Sequence, residues 1–595
     1  MKRIKLKVNH INKDKGNYLV QYLSSLGIDE KKISSFLYQP QEEDQDDYST
    51  LDNISLAAIE AHRKLEAGAQ VFVQVDSDTD GYTSAAVLIN YLRRRYPQNK
   101  VHWRLHKGKE HGVIVDTVPE ECDLVFIPDA GTNQVEEHKQ LAAQNRLVIV
   151  LDHHECIEDI SVSPAIIVNN QVSRDFSNKY LSGVGIVYLF IQAMDKLVWS
   201  ERLPIYKDYL DLTAIGIIAD MMNMTTLGNN YISYFGLSSV KNKFIQELAE
   251  RQARGIKDPK HLTKIDVAFY IAPVINGVIR SGNPEDKEIV FRALTEEENN
   301  EVFVTEWRGA TRHESLFQYA ARLAANAKSR QDSAKKRAFE WICQEIRDKG
   351  LDKHNIIIVS LDEKQSTKVS PNLTGLIAME LVKEFNKPCL VLRETEFEGQ
   401  VMYGGSGRNG NFYGLTNLLD FLHDSQLTYY AAGHQGAFGC FVEPHNIEAL
   451  IRYADENINT ATFNDLVYEV DYWFYNNETV DTNMLMEFAK HNNLWGNSIP
   501  QPKFAIDADI RASQVMLMGQ NKDSVRIKID GVDCVIFKDA DLAARLSNFD
   551  ECHVTIVGRA QLNEWGGHTS VQLIIDDIDI QEIIKTKTAN LFDLI

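Results

Sequence analysis

Four apolar runs in the first 220 residues each end on a carboxylate or a histidine pair, and that recurrence limits the folds open to the chain. Val71-Phe-Val-Gln-Val75 runs into Asp76-Ser-Asp78-Thr-Asp80-Gly81, and Leu124-Val-Phe-Ile-Pro128 runs into Asp129. Arg146-Leu-Val-Ile-Val-Leu151 delivers Asp152-His153-His154, and the run from Leu212 to Ala219 delivers Asp220. Read as strands of a parallel α/β sheet, these runs place their C-terminal ends along one edge, where ligands collect and distant residues converge. Thr83 to Arg95 reads as the helix that follows the first strand.

The clustering of Asp76, Asp78 and Asp80 calls for a cation. Unit charges 4 Å apart repel by about 4 kcal/mol at an effective dielectric of about 20, so three ionised carboxylates at one strand end are tolerable chiefly when metal neutralises them. A calcium loop of the D-x-D-x-D-G kind needs a preceding helix and a Glu at the twelfth position; here a strand precedes and Val87 stands there. Asp152 followed by two histidines at another strand end adds nitrogen donors to the same edge.

These segments resemble motifs one to four of the DHH phosphoesterase superfamily: Asp76 to Gly81, the isolated Asp129, Asp152-His153-His154, and Asp220. Gly405-Ser406-Gly407-Arg408 and Ala432-Gly433-His434-Gln-Gly-Ala-Phe-Gly439 resemble the two signatures of the DHH-associated substrate domain. Within the superfamily the chain is most similar to the RecJ family of single-strand-specific 5′→3′ DNA exonucleases. That likeness includes Leu181-Ser-Gly-Val-Gly185, Pro273-Val-Ile-Asn276-Gly-Val-Ile-Arg280, and the segments Asn563-Glu-Trp565 and Val571 to Asp576 of an OB-fold module. The chain departs from the family at Asn409, Phe438 and Gly277 to Ile279, positions that change side-chain volume beside the expected nucleotide groove.

The resemblance implies two-metal hydrolysis of a phosphodiester, with Asp78, Asp80, Asp129, His153 and Asp220 as inner ligands. Four carboxylates balance two divalent ions, which lower the pKa of a shared water. A mixed carboxylate and imidazole set favours Mn²⁺, with Mg²⁺ as an alternative. Asp76 and Asp152 remain open between ligating a metal directly and accepting a hydrogen bond from an imidazole. His154 is expected to face the substrate. Ser406, Gly407, Arg408, Arg280, Gly433 and His434 are implied to hold phosphate or backbone, with Arg104 a further contact and Lys107 or Lys109 its alternatives. Trp565 is the aromatic that would stack on a base. Single-stranded DNA is the implied partner, joined by a single-strand-binding protein or a helicase. Two other readings share the motifs: a phosphodiesterase of short oligonucleotides or cyclic dinucleotides, and an inactive replication scaffold, which would have lost motif carboxylates.

A net charge of −21 argues against a protein that coats nucleic acid by charge alone, so binding must rest on a local basic groove. Arg93-Arg94-Arg95, Arg104 to Lys109 and Lys328 to Arg337 are the candidates for it. The seven cysteines lack C-x-x-C spacing and read as small buried apolar residues rather than a zinc or disulfide framework. No apolar run of membrane-spanning length and no signal-peptide core is present, which predicts a cytoplasmic protein without membrane attachment. The expected fold class is multidomain α/β: an N-terminal segment (1–50), a parallel-sheet DHH domain (51–240), a helical connector (241–350) with one long helix from Leu316 to Ile346 or two helices divided at its basic middle, a second α/β domain (351–460), and a linker with an antiparallel OB-like barrel (461–595).

Overall fold

The computed structural model describes residues 3–8, 11–107, 110–252, 255–296, 301–307, 309–410, 415–459, 465–565 and 567–584. Contacts divide the chain into two compact units, one of residues 23–329 with 491–501, the other of residues 1–22, 330–490 and 502–595.

The first unit is built on a five-stranded, all-parallel sheet in the order Val101–Leu105, Gln70–Val75, Cys122–Pro128, Leu147–Asp152, Ile166–Asn169. Its β-branched runs are buried on both faces, as a parallel sheet requires. The strand order reverses beside Gln70–Val75, so Asp76 and Asp129 stand at the crevice that such a reversal opens. The helix after the first strand starts earlier than periodicity predicts, at Thr79 rather than Thr83. Asp78 is its N-cap, its Oδ1 accepting the Gly81 N–H at 2.9 Å, so Asp80 lies in the first helical turn and not in a loop.

One element is corrected outright. The run ending at Asp220 is not a strand but the helix Leu210–Ala219, with Asp220 as its C-cap. It is apolar all round because it is buried all round, and a uniformly apolar run carries no period to separate strand from helix. Gly216 lets it lie against Thr79–Arg95: a Cβ there would sit 2.4 Å from Thr83 Oγ1 and 2.6 Å from Asp80 Oδ1.

The second unit holds two sheets. A five-stranded sheet runs Tyr430–His434, Ala437–Val442, Gln400–Arg408, Cys389–Phe397, Ile357–Leu361, antiparallel except for its last pair. A seven-stranded sheet covers the OB-like region in the order Tyr472–Phe474, Phe504–Arg511, Glu551–Trp565, His568–Ile584, Val532–Ile536, Ser524–Ile529, Val515–Met518. Alternating patterns there predict antiparallel pairing, yet the first pair and the pair joining Val532–Ile536 to His568–Ile584 are parallel. Alternation reports a half-buried strand and is silent on its neighbour's direction. Arg3–Val8 pairs in parallel with Asp465–Val470, so residues 1–22 of the N-terminal segment belong to this unit, while residues 23–50 belong to the first. The boundary between units falls inside the 34-residue helix Leu316–Lys349, which forms as one element.

All seven cysteines are free, and all but Cys156 are buried. Among the described residues no helix is long and apolar enough to cross a membrane.

Candidate metal centre

Local geometry at the sheet edge explains why these carboxylates sit together. Asp80 is buried and accepts three hydrogen bonds, from Ser182 Oγ (3.0 Å), Gly183 N–H (2.8 Å) and Val184 N–H (3.3 Å). Even so, burial first, then the charges of Asp129 and Asp220, push its carboxyl well above the usual range. Asp129 follows Pro128 at φ 61°, a left-handed conformation that Asp tolerates better than most residues. That turn aims its carboxylate at the cluster, where burial and the charges of Asp78, Asp76, Asp152 and Asp220 raise its pKa strongly. Gly183 permits the approach, since a Cβ there would stand 2.3 Å from Asp129 Oδ1.

His153 bridges the centre, its Nε2 lying 3.2 Å from Asp129 Oδ1 and 3.5 Å from Asp220 Oδ2. Neither contact is aligned as a hydrogen bond, and both of those buried oxygens lack a hydrogen-bond donor. Three sets of donor atoms converge within 4.8 Å: Asp80, His153 and Asp220; Asp129, His153 and His154; and Asp76, Asp78 and Asp129. Orphaned buried oxygens, mutually repelling carboxylates and an imidazole in such sets fit a divalent metal centre, and a cation removes both penalties together.

The two residues the sequence leaves open have different partners in the structure. Asp152 belongs to none of these sets. Its Oδ1 accepts from the backbone N–H of His153 (2.7 Å) and faces His154 Nδ1 (2.7 Å), and its Oδ2 accepts the Thr132 N–H (2.9 Å). Although burial opposes ionisation, these bonds hold its pKa below the normal range, and they orient the His154 ring. Asp152 raises the pKa of His154 in turn. Asp76 does converge with Asp78 and Asp129, while its Oδ1 also meets His111 Nδ1 at 2.9 Å and His106 Nδ1 at 3.3 Å. Burial opposes ionisation there too, but the two histidines outweigh it and keep Asp76 ionised. Sequence reading assigns neither His106 nor His111 a role; the signal that could have found them is a histidine pair flanking a glycine-bearing loop beside a metal-type strand end.

Comparison with known proteins bears on the same residues. The DHH family's N-terminal domain matches residues 70–217, and the RecJ OB domain matches residues 465–577. A protein of the SPbeta prophage of Bacillus subtilis (strain 168) named as a single-strand DNA-specific exonuclease, YorK, is 31% identical over 548 residues, covering 91% of this chain and 92% of its own. This chain belongs to the RecJ family. The single-stranded-DNA-specific exonuclease RecJ of Bacillus subtilis is 25% identical over 93% of this chain and 67% of its own length. The crystal structure of RecJ from Thermus thermophilus in complex with Mn²⁺ shares the fold, with a TM-score of 0.68 and 20% identity over 98% of this chain and 80% of that one.

The segments resembling RecJ substrate signatures are placed as follows. Asn276 lies in the helix Ala272–Ser281, where its Oδ1 accepts from Thr79 Oγ1 at 3.0 Å, and Arg280 is exposed one turn later. Arg104 is engaged by Glu110 at 2.7 Å, with Nη1 buried and without an acceptor; Lys109 lies outside the described residues. In the Arg93 to Arg95 cluster, exposed Arg94 pairs with Asp208 and part-buried Arg95 pairs with Asp195 at 2.6 Å.

In the other unit, Ser406, Gly407 and Arg408 end a strand rather than forming a loop. Ser406 Oγ lies 2.9 Å from Thr374 Oγ1 at the start of the helix Thr374–Phe385. Arg408 is half-buried, and burial lowers its pKa; it has no carboxylate partner among the described residues. Gly375 in that first turn leaves it room, since a Cβ there would lie 2.5 Å from Arg408 Nη2. Gly407 lies on the ring of Phe438, which occupies space that any Cβ would need. Gly433 has φ 140° and His434 is exposed beside the hairpin to Ala437. The Trp565 side chain lies outside the described residues; its backbone pairs with His568 at a hairpin end.

Proposed function

We propose that the protein is a metal-dependent exonuclease that hydrolyses single-stranded DNA from the 5′ end, as in DNA repair, recombination or replication. The observation that carries this reading is the convergence of Asp76, Asp78, Asp80, Asp129, His153 and Asp220 in overlapping sets of donor atoms, where Asp129 Oδ1 and Asp220 Oδ2 have no donor of their own. All the motif carboxylates are present, which argues against an inactive scaffold. The names of its relatives, single-strand DNA-specific exonucleases, support the substrate, and the OB-domain match supports a polymeric strand over a small cyclic one.

Two divalent ions, Mn²⁺ for preference, would be held by those residues and would supply Lewis acidity and a hydroxide near neutral pH. The chain's own groups do the rest. Asp152 holds Nδ1 of His154 and raises its pKa, which favours a proton on the ring and leaves the other nitrogen turned to a phosphoryl oxygen or to the leaving group. Ser406 and the guanidinium of Arg408, beside a helix N-terminus, have the chemistry to hold a terminal phosphate. Single-stranded oligonucleotides labelled at one end, with deoxyribose and ribose versions compared in Mn²⁺, test substrate and polarity together. Label should leave a 5′-labelled deoxyribose strand first; earlier release from the 3′ end would overturn the polarity. On the same substrates Arg408→Ala should weaken use of a 5′-phosphorylated strand by more than about 1 kcal/mol relative to a 5′-hydroxyl strand, the size of a charge-assisted contact. Equal losses would move Arg408 away from the strand end.

A further inference from the structure

The turn that presents Asp220 is closed by a segment that lies 276 residues further along the chain. After the helix Leu210–Ala219, the Met221 N–H donates to the Ile218 carbonyl and the Met222 N–H to the Ile217 carbonyl, each at 3.1 Å. Met221 occupies the left-handed position of this cap at φ 57°, where glycine is the usual residue. The turn therefore has a bulky side chain where its backbone favours none, and its last carbonyls are left without partners inside the helix. Asn497 supplies donors to the turn. Its Nδ2 donates to the carbonyls of Met221 and, at 3.3 Å, Met222, while its own carbonyl accepts the Met224 N–H at 3.2 Å.

Asn497 is itself held firmly. Gly496 and Ile499 exchange both backbone hydrogen bonds, at 2.9 and 3.2 Å, around Ser498 at φ 63°. Leu494 and Trp495 are buried. The buried ammonium of Lys264 donates to the carbonyls of Asn493 at 3.1 Å and Leu494 at 3.4 Å, and faces no carboxylate among the described residues. Gly496 makes the close approach possible, because a Cβ there would stand 2.9 Å from Lys264 Cδ. Residues 491–501 are part of the metal-bearing unit although the chain on either side of them builds the other one. Within this segment Leu494 and Trp495 are buried, and its carbonyls take the donors of the buried Lys264 ammonium, more than a simple linker requires.

We propose that Asn497 is a positioning residue of the metal centre, and that residues 493–499 are a clasp which sets the direction of the Asp220 carboxylate by fixing the turn from Met221 to Met224. The proposal rests on Asp220 being a metal ligand, and the test separates the two claims. Mn²⁺ binding to the full-length protein is followed by electron paramagnetic resonance of the free ion, giving the number of sites and their dissociation constants. Asp220→Asn should remove or severely weaken one ion. Asn497→Asp keeps the shape but loses the N–H donor and sets a carboxylate against two carbonyls; it should weaken that same ion about tenfold, the size of effect seen when a ligand loses its supporting contact. Asn497→Ala removes the amide without adding charge and carries the same expectation if the aspartate variant does not fold. Wild-type Mn²⁺ affinity in folded Asn497 variants, alongside loss of an ion in Asp220→Asn, would overturn the positioning role. Unchanged binding in Asp220→Asn would instead overturn the reading of Asp220 as a ligand.

Discussion

At the scale of single residues, Asp129 combines two requirements that restrict what can replace it. Its φ of 61° disfavours most side chains, and its carboxyl is forced upward in pKa by burial and by four neighbouring carboxylates. Asn tolerates the same backbone and removes the charge, so Asp129→Asn is a better probe than Asp129→Ala, which adds about 1–2 kcal/mol of backbone strain. The variant should be at least as stable as the parent without metal, gain no stability from Mn²⁺, and show no hydrolysis; thermal melts with and without Mn²⁺ plus a nuclease assay read all three. Turnover near the parent's level at saturating Mn²⁺ would exclude the proposed centre. Gly183 is constrained for a different reason, having no room for a Cβ beside Asp129 Oδ1. Gly183→Ala should cost about 1–3 kcal/mol as overpacking, and about a hundredfold in turnover because a carboxylate is displaced by about 1 Å. Near-normal turnover in a sample shown by chemical denaturation to be folded would mean that Asp129 does not need that approach.

At the scale of elements, the centre depends on two helices whose far ends are locked together. The helix Thr79–Arg95 carries Asp80 and ends on Arg95; the helix Gly183–Leu197 begins beside the carboxylates and carries Asp195 near its end. Asp195 is fully engaged, accepting from Arg95 at 2.6 Å, Tyr91 Oη at 2.8 Å, and the N–H groups of Ile205 and Tyr206. Because both side chains are largely buried, removing one leaves an uncompensated charge. Asp195→Ala should therefore destabilise by about 3–5 kcal/mol, measured by urea denaturation. A loss under about 1 kcal/mol, as at a solvent-exposed pair, would mean that water reaches this site. Within the basic tripeptide at Arg93, Arg95 is committed to Asp195, while the exposed Arg94 pairs with Asp208.

At the scale of the whole molecule, the metal centre sets how stability responds to pH. Folding raises the pKa values of Asp80, Asp129 and Asp220, so their contribution is fully present below the ordinary carboxylate range and is lost as pH rises through the raised values. Asp76 and Asp152 are lowered, so their contribution is present above that range and is lost only in stronger acid. Metal must displace the protons held by the raised group, which makes its binding stronger at higher pH. The melting temperature gained on replacing EDTA by Mn²⁺ should thus widen across the interval above the ordinary carboxylate range as the carboxyls ionise. A gain that stays flat across that interval would remove Asp80 and Asp129 from the ligand set. Connectivity matters here as well. Cutting the chain near Pro500 would strip Phe504–Arg511 from its partner Tyr472–Phe474 and sever the segment holding Asn497, so the OB-like region is better probed by point substitutions.

The rhythm of apolar run and carboxylate was enough, by itself, to specify a parallel sheet with Asp78, Asp80, Asp129 and His153 on one edge. It is legible because both halves of the signal are local: β-branched burial makes the strand, and the residue after it must emerge at the edge. The long helix from Leu316 was legible for the same reason, through its 3.6-residue period. Other features depend on neighbours that no local pattern encodes. Leu210–Ala219 is a helix because its surroundings bury every side of it, and Asp152 turns to His154 because Thr132 and the backbone occupy its other positions. Arg3–Val8 finds its partner at Asp465–Val470, and Asn497 finds the turn after Asp220. Each of these choices is made by hydrogen-bond satisfaction and packing between segments that folding brings together, where the free energy belongs to the contact and to neither segment alone.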